Sequence, residues 1–181
     1  MSGPILVYAL HYEGAFNKNS LGAVSEGARL AGELGGECQA VVVGDKSGLS
    51  DDLCASLGRY GATKVFRVEG PEGLAQPVVD AMARIISDNG HGYALFGGGL
   101  LGFEIGAGLS ARLDAGVCME VTNVRVEDGK LIAERPIEAH SSSGRPPRSP
   151  RTRTWHSAPS PAARRAPSET APSEFLLKAP S

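Results

Sequence analysis

Short apolar runs alternate with amphipathic stretches along the first 139 residues. The apolar runs have strand length and cover residues 4–10, 39–43, 64–68 and 93–96. Such runs are typical of strands that are buried on both faces of a sheet. Apolar residues at helical spacing follow each run, over about 20–34, 50–60, 74–88 and 97–113, with Ser20 and Ser50 as candidate N-caps of the first two helices. The alternation predicts an α/β domain with three α/β/α layers and a mostly parallel sheet.

The pattern changes after residue 113. Residues 117–121, 123–127 and 131–134 have strand character, and Asp128-Gly129 joins the last two. An Asp-Gly pair between two such runs is a strong signal for a β-hairpin. We therefore expect a closing hairpin that makes the sheet mixed at one edge.

The overall composition is that of an ordinary soluble domain, with 41% hydrophobic and 21% charged residues and a net charge of -2. The apolar runs are far shorter than the roughly 20 residues that a membrane helix needs. The first apolar run has no basic residue before it, which argues against a signal or transit peptide. These features predict a cytoplasmic protein that does not insert into a membrane.

The composition breaks sharply near residue 140. Residues 140–181 hold seven basic and two acidic residues and eight of the 12 prolines, whereas 23 of the 24 glycines precede them. A Pro/Ser/Arg-rich segment of this kind cannot bury enough apolar surface to offset the entropy of ordering its chain. We therefore predict one α/β domain over 1–139 and a disordered tail over 140–181. The alternative interpretations of the tail are a linker and a basic arm that binds nucleic acid through its arginines and Trp155. We expect no nucleic-acid partner.

One glycine-rich turn is a candidate binding element. Gly97, Gly98, Gly99 and Gly102 match G-x-G-x-x-G between a predicted strand and a predicted helix. Glycines at such a turn let backbone N–H groups approach a phosphate. The turn follows the fourth strand rather than the first and lacks the acidic partner of a dinucleotide fingerprint. These glycines are therefore weak phosphate-loop candidates, and a tight packed turn is the alternative.

Catalytic and metal-binding patterns are weak. The sequence has no G-x-S-x-G nucleophile elbow and no Walker motif. Cys38, Cys54 and Cys118 are widely spaced and are best interpreted as buried small apolar residues. His11, just past the first strand, and His91, in a turn, are interpreted as surface residues, although Glu13 could pair with His11. We predict no catalytic residue and no metal site.

Residues 4–137 resemble the N-terminal domain of the electron transfer flavoprotein alpha subunit. Four stretches carry the resemblance, in the family's order and spacing. They are the opening strand and loop from Ile5 to Leu21, Tyr60-Gly61-Ala62-Thr63-Lys64-Val65, Leu95-Phe96-Gly97 with Leu109-Ser110-Ala111-Arg112-Leu113, and the hairpin from Val121 to Arg135-Pro136-Ile137. The sequence departs from the family at Gly98-Gly99-Leu100, where Ala-Thr-Ser is usual, and at Phe103, where a basic residue is usual.

The resemblance implies a Rossmann-like sheet of the adenine nucleotide alpha hydrolase-like type and an electron carrier rather than an enzyme. The complete family protein pairs with a beta subunit, in which AMP can be bound. It carries FAD and moves electrons from flavin dehydrogenases, such as the acyl-CoA dehydrogenases of fatty acid beta-oxidation, to a quinone reductase. Most FAD contacts belong to a second domain whose motifs are absent here, so residues 1–139 alone are expected to bind little FAD.

The resemblance stops abruptly after Ile137, inside a segment that the family continues. Arg/Pro/Ser/Ala-rich sequence is what a GC-rich gene yields in the wrong reading frame, so we prefer to interpret the tail as an out-of-frame product of a truncated alpha subunit. Two alternatives for the whole chain are a nucleotide-binding module of the universal-stress type and a non-catalytic interaction domain.

Overall fold

The computed structural model describes residues 3–137 and two further stretches, 151–156 and 174–178. The helices are α1 (Lys18–Leu34), α2 (Asp51–Ser56), α3 (Ala75–Asn89) and α4 (Leu100–Leu113), with a 3-10 turn at Leu57–Tyr60 after α2. The strands are β1 (Ile5–Tyr8), β2 (His11–Tyr12), β3 (Ala15–Phe16), β4 (Cys38–Gly44), β5 (Lys64–Glu69), β6 (Tyr93–Gly97), β7 (Gly116–Cys118), β8 (Asn123–Glu127), β9 (Lys130–Ile137), β10 (Arg151–His156) and β11 (Glu174–Lys178).

The main sheet has the strand order β5-β4-β1-β6-β11-β7. The first four of these strands are parallel, with Ile5 opposite both Cys38 and Tyr93. The strands β1, β4, β5 and β6 are the four apolar runs of the sequence, and the predicted parallel α/β sheet is confirmed. Strand β11 lies antiparallel between β6 and β7, so it is this strand that makes the main sheet mixed.

Two apolar cores cover the two faces of the main sheet. Alternate residues of β1 point to opposite faces, because successive side chains alternate along a strand. Ile5 and Val7 pack with α1 on one face, and Leu6 and Tyr8 pack with α3 and α4 on the other. Both cores consist mainly of buried apolar side chains. A fully buried Val, Leu, Ile, Phe or Met side chain contributes roughly 1.5–3 kcal/mol to the free energy of unfolding. The result is the predicted three-layer α/β/α arrangement.

Helix α1 sits unusually close to β1. A Cβ atom on Gly27 would lie 2.7 Å from Cγ2 of Val7, which is closer than real Cβ contacts allow. A glycine at this position therefore sets the distance between the helix and the sheet, and a larger residue would push them apart.

The predicted hairpin is present as β8 and β9, and both residues of its turn have positive φ, 50° at Asp128 and 71° at Gly129. This matches the requirement of a two-residue type I′ turn. The hairpin does not extend the main sheet, as the sequence had suggested, but pairs with β10 in a separate antiparallel sheet. Leu131 and Val124 pack into the core on the α1 side, so the hairpin closes that end of the domain.

Two stretches of the predicted disordered tail are strands in the structure. Strand β10 pairs with β9, and β11 pairs with β6 and β7. For residues 138–150, 157–173 and 179–181 the prediction lies outside the described residues.

The two predicted helix caps have different outcomes. The Ser50 side chain accepts a hydrogen bond from the Leu53 N–H, as expected of an N-cap. The N-cap of α1 lies three residues before the predicted one, at Asn17, whose side chain accepts a hydrogen bond from the Asn19 N–H. Ser20 is buried inside the first turn, where its Oγ accepts from the Leu10 N–H at 3.0 Å and so ties the helix to the end of the first strand.

Among the helices described, none is both long enough and apolar enough to span a bilayer.

Candidate functional site

The topology places one crevice at the carboxyl end of the parallel strands. From β1 the chain passes through α1 to β4 on one side, whereas β6 lies on the other side of β1. The connections that leave β1 and β6 therefore diverge. In open α/β sheets, ligands bind at such a switch point.

The predicted glycine run lies at this switch point. Strand β6 ends at Gly97, and Gly99 precedes the first residue of α4. A Cβ atom on Gly97 would lie 3.1 Å from the backbone carbon of Asn19, so the turn packs tightly against the start of α1. Gly99 has φ 138° and ψ 173°, a conformation that is essentially restricted to glycine. The predicted glycine turn thus lies at the crevice and packs tightly, and its interpretation as a phosphate loop stays a prediction.

The start of α4 leaves backbone donors facing the crevice. The Phe103 N–H donates to the Gly99 carbonyl at 3.2 Å, which closes the first helical turn. The N–H groups of Leu100, Leu101 and Gly102 precede that bond and have no acceptor within the helix. They carry the positive end of the helix dipole, which favours a negatively charged group nearby.

A cavity of about 220 Å³ opens between these elements. Its lining combines the turn, the starts of α1 and α4 and the ends of β1 and β6, with Tyr8, Asn17, Gly98, Gly99, Leu101 and Ile105 among its residues. Tyr8 is only 3% exposed, and its hydroxyl has no hydrogen-bond partner within the described part of the chain. Burial, with a smaller contribution from the Glu72 charge, raises the pKa of Tyr8 to about 12. At neutral pH this hydroxyl is therefore an uncharged O–H group that can donate a hydrogen bond.

A second polar cluster lies beside the crevice, around His11. The side chain was predicted to be exposed, and that prediction is wrong, since His11 is 2% exposed. Its Nε2 lies 3.2 Å from the Val43 carbonyl oxygen, and its Nδ1 lies 3.8 Å from Oε1 of Glu72. Gly44 makes room for the ring, because a Cβ there would lie 2.2 Å from Nε2. The acidic neighbour is thus Glu72 rather than the nearby Glu13.

His91 was also expected at the surface and is 2% exposed. It precedes β6, at the opposite end of the sheet from the crevice. Its Nε2 lies 3.0 Å from Oε1 of Gln39 on β4, and burial lowers the pKa of His91. The contact links the turn before β6 to β4 through a neutral imidazole, which gives His91 a structural role.

The cysteines and the acidic residues show no metal-binding arrangement. Cys38, Cys54 and Cys118 are buried free thiols, as predicted. Burial raises the pKa of each, to about 11 for Cys38, so all three are protonated at neutral pH. Within 3–137 and the two tail strands, no group of three His, Cys, Asp or Glu side chains could hold a metal ion.

Sequence reasoning missed two residues of the site, Tyr8 and Glu72. Tyr8 belongs to an apolar run and was treated as part of the core, where its ring indeed packs. Glu72 lies in the connection between β5 and α3 and reaches His11 only through the fold. No local pattern marks either residue, because the orphaned hydroxyl and the contact with His11 are tertiary features.

Comparison with known proteins identifies the family. The model of the electron transfer flavoprotein domain matches residues 5–146, which is most of the chain. The chain belongs to the electron transfer flavoprotein family. The match begins in β1 and includes the parallel strands, the glycine turn at the crevice and the closing hairpin. The fold and the resemblance predicted from the sequence are therefore confirmed.

Curated relatives agree with this assignment. Protein FixB of Clostridium saccharobutylicum is 31% identical over 139 residues, which are 73% of this chain and 40% of that protein. The electron transfer flavoprotein subunit alpha of Mycobacterium leprae is 34% identical over 123 residues, 66% of this chain and 37% of that protein. The acryloyl-CoA reductase electron transfer subunit beta of Anaerotignum propionicum is 27% identical over 132 residues, 71% and 35% of the two chains. The chain thus spans about two fifths of the length of the relatives that it matches.

The family name implies a bound flavin, so the volume of the crevice bears on whether FAD fits there. Drug-sized ligands occupy pockets of roughly 300–1,000 Å³, and FAD is larger than most of them. The cavity of about 220 Å³ at the switch point is too small to enclose an FAD molecule. The crevice at the switch point therefore does not enclose the whole cofactor, and we derive no electron-transfer step from it.

Proposed function

We propose that this chain is the N-terminal domain of an electron transfer flavoprotein alpha subunit, in the cytoplasm, and that its role is to assemble with a beta subunit. The observation that carries the proposal is the family match over residues 5–146. In the complete protein, electrons would pass from flavin dehydrogenases, such as acyl-CoA dehydrogenases of fatty acid beta-oxidation, to a quinone reductase. The chain would act as part of an electron carrier and not as an enzyme.

The proposed separation of the assembly surface from the flavin site follows from the length of the chain and the size of its cavity. The chain spans about two fifths of its relatives, and its cavity does not accommodate FAD. We infer that the FAD contacts belong to the part of the relatives that this chain does not span, and that any AMP belongs to the beta subunit. This domain would then contribute a surface for assembly rather than the flavin site.

Complex formation tests the proposed assembly. The full 181-residue chain would be co-expressed with the beta-type electron transfer flavoprotein subunit of the same organism and separated by size-exclusion chromatography with light scattering. We expect a one-to-one complex. Separate elution of two folded proteins, each with a cooperative thermal transition, would contradict the proposal. An unrelated soluble α/β protein of similar mass provides the control for non-specific association.

We further propose that the tail, beyond the end of the family match at residue 146, is read out of frame from a gene for a complete alpha subunit. The support is the change from a glycine-rich, acidic segment to a Pro/Arg-rich one near residue 140. Sequencing the coding DNA beyond the His140 codon and translating all three frames tests this directly. Another frame should continue the family sequence after the hairpin. If no frame continues the family sequence, the out-of-frame interpretation is wrong, and β10 and β11 are part of the natural protein.

A further inference from the structure

The main sheet ends in an edge strand, β5, whose outer side has no partner among the described strands. Strand β5 pairs with β4 on its inner side only. The Gly70 N–H continues this ladder by donating to the Gly44 carbonyl oxygen at 3.1 Å. Because alternate residues of a strand direct their backbone groups to opposite sides, Val65, Arg67 and Glu69 direct theirs away from β4. These outward groups can form a second ladder.

The edge lacks the features that normally block such pairing. Natural edge strands are protected by proline, by a bulge or by charged side chains. The six residues of β5 include no proline, and their register with β4 is continuous. The two basic side chains lie against their own chain. The Lys64 Nζ is 4.3 Å from the centre of the Phe66 ring, and Arg67 donates to the Leu49 carbonyl oxygen at 3.0 Å. Neither charge therefore needs to lie across the edge.

A groove beside this edge presents apolar side chains. It lies between β5 and α3 and has a volume of about 730 Å³. Phe66 and Val68 line it from the strand, and Pro77, Ala81 and Ile85 line it from the helix. Phe66 and Val68 pack against the core on the α3 side but remain only half-buried. Apolar surface that continues to an open sheet edge is typical of an interaction site.

The sequence of β5 suits pairing with a second copy of itself. A twofold axis perpendicular to the sheet makes the two strands antiparallel and keeps the faces of the sheet matched. With Phe66 on the axis, Val65 of each copy lies opposite Arg67 of the other, so the outward backbone groups of both residues bond across the pair. The two Phe66 rings then lie side by side on the groove face. Centring the pair on Arg67 instead would place two like charges directly opposite each other, which is destabilising.

The charges of α3 also complement a second copy. Asp80, Arg84 and Asp88 follow one another at a spacing of four residues, and the first two line the groove. Asp80 already pairs with Arg112, but Arg84 is 84% exposed and only loosely paired, with its Nε 3.7 Å from Asp88. The same axis sets the two α3 helices antiparallel on one side of the sheet, so Arg84 of each copy can face an aspartate of the other. Opposite charges thus meet across the axis.

We propose that this chain forms a twofold-symmetric homodimer in which two β5 strands pair antiparallel with Phe66 on the axis. The two main sheets would join into one continuous sheet, and the Phe66 ring of each copy would cover part of the groove of the other. The interface consists of β5 and α3, at the edge of the sheet, and leaves the crevice between β1 and β6 open. The dimer does not depend on the proposed assembly with a beta subunit.

Sedimentation velocity of the full chain, from low to high micromolar concentration, tests the proposal. The mass should rise with concentration toward twice that of one chain. A monomer at every concentration would overturn the proposal. If that monomer lost its complex with the beta-type subunit on Val65→Pro substitution, the edge would belong to the beta subunit, and the homodimer would again be wrong.

Two substitutions of Val65 separate pairing from folding. Val65→Pro removes an N–H group that points away from β4, a position at which an edge strand tolerates proline. Each dimer then loses two symmetry-related hydrogen bonds, so its Kd should rise about tenfold or more. Val65→Thr keeps both the N–H group and the branched side chain, and it should dimerise as the parent does. An unchanged dimer Kd in a cooperatively folded Val65→Pro protein would contradict the pairing.

A cysteine scan tests the register and covers the case in which the proline variant does not fold. Residues that face each other at a non-hydrogen-bonded position have Cβ atoms about 4.5–5.5 Å apart, close enough for a disulfide after a small shift. Phe66→Cys should therefore form a disulfide-linked dimer under mild oxidation, whereas Arg67→Cys, which faces Val65, should form far less. The parent chain, with its buried thiols, gives the background. Equal linkage of the two variants, or none above background, would overturn the proposal.

Discussion

The Nε2 atom of His91 lies 3.0 Å from Oε1 of Gln39 and joins the turn before β6 to strand β4. Both residues lie at the amino end of the parallel sheet, on either side of β1. The imidazole is buried, and burial lowers its pKa below the ordinary value of His. The folded protein accommodates the neutral imidazole of His91. Protonation of His91 at low pH should therefore destabilise the sheet.

The first prediction concerns this pH dependence. A histidine with a depressed folded pKa binds its proton more readily when unfolded, so its stabilising effect is present above the unfolded pKa of about 6.5 and is lost as the pH falls. Denaturation at a series of pH values should show a decreasing free energy of unfolding below about pH 6.5. In His91→Gln, which cannot be protonated there, the decrease should be shallower. Identical slopes in the two proteins would show that other groups cause the acid sensitivity.

Two glycine substitutions should have opposite effects. Gly99→Ala forces a Cβ into a conformation that only glycine adopts readily and should lower the free energy of unfolding by roughly 1–3 kcal/mol. Gly22→Ala lies inside α1, where a Cβ would meet nothing within 4 Å, and should raise it by roughly 0.5–1 kcal/mol. Urea denaturation of both variants measures the difference. A Gly99→Ala protein as stable as the parent would mean that the turn is not held in the described conformation.

Strand β11 gives a prediction about the tail. Its backbone pairs with β6 on one side and with β7 on the other, and Leu176 lies opposite Leu95 and Cys118. Proline has no backbone N–H and is excluded from such central positions. Leu176→Pro should therefore destabilise the domain, by roughly 1–3 kcal/mol if one buried carbonyl loses its donor. Leu176→Val keeps the N–H group and serves as the control. Equal thermal transitions for both variants would show that β11 does not stabilise the main sheet.

Thiol reactivity provides another prediction. Cys38, Cys54 and Cys118 are buried, and burial raises the pKa of each thiol. Because the thiolate is the reactive form, all three should react with an aromatic disulfide reagent far more slowly in the native chain than in urea. The reaction followed by absorbance at pH 8 measures both rates. Rapid reaction of one thiol in the native state would place that cysteine at the surface.

The sequence predicted the layers and the hairpin because those features rest on local patterns. The apolar run that contains Ile5 identifies a strand buried on both faces, and Asp128-Gly129 specifies its turn by positive φ. The Ser50 cap followed from a side chain that bonds within its own turn. In each case the determining contacts lie within a few residues along the chain.

The site depended on contacts that no local pattern encodes. His11 is buried only because Gly44, on another strand, leaves room for its ring. Ser20 lies in the first turn of α1 instead of capping the helix, and its hydroxyl accepts from the Leu10 N–H. The glycine turn was visible in the sequence, whereas the orphaned hydroxyl of Tyr8 required the packed sheet.

The flavin content of the purified full chain tests the proposed separation of this domain from the flavin site. If the FAD contacts lie in the part of the relatives that this chain does not span, this chain alone should bind little FAD. After incubation with excess FAD and removal of unbound cofactor, absorbance near 450 nm should show far less than stoichiometric flavin, although the chain unfolds cooperatively. A folded single chain that retains one FAD per molecule would place the flavin site in this domain and contradict the proposal.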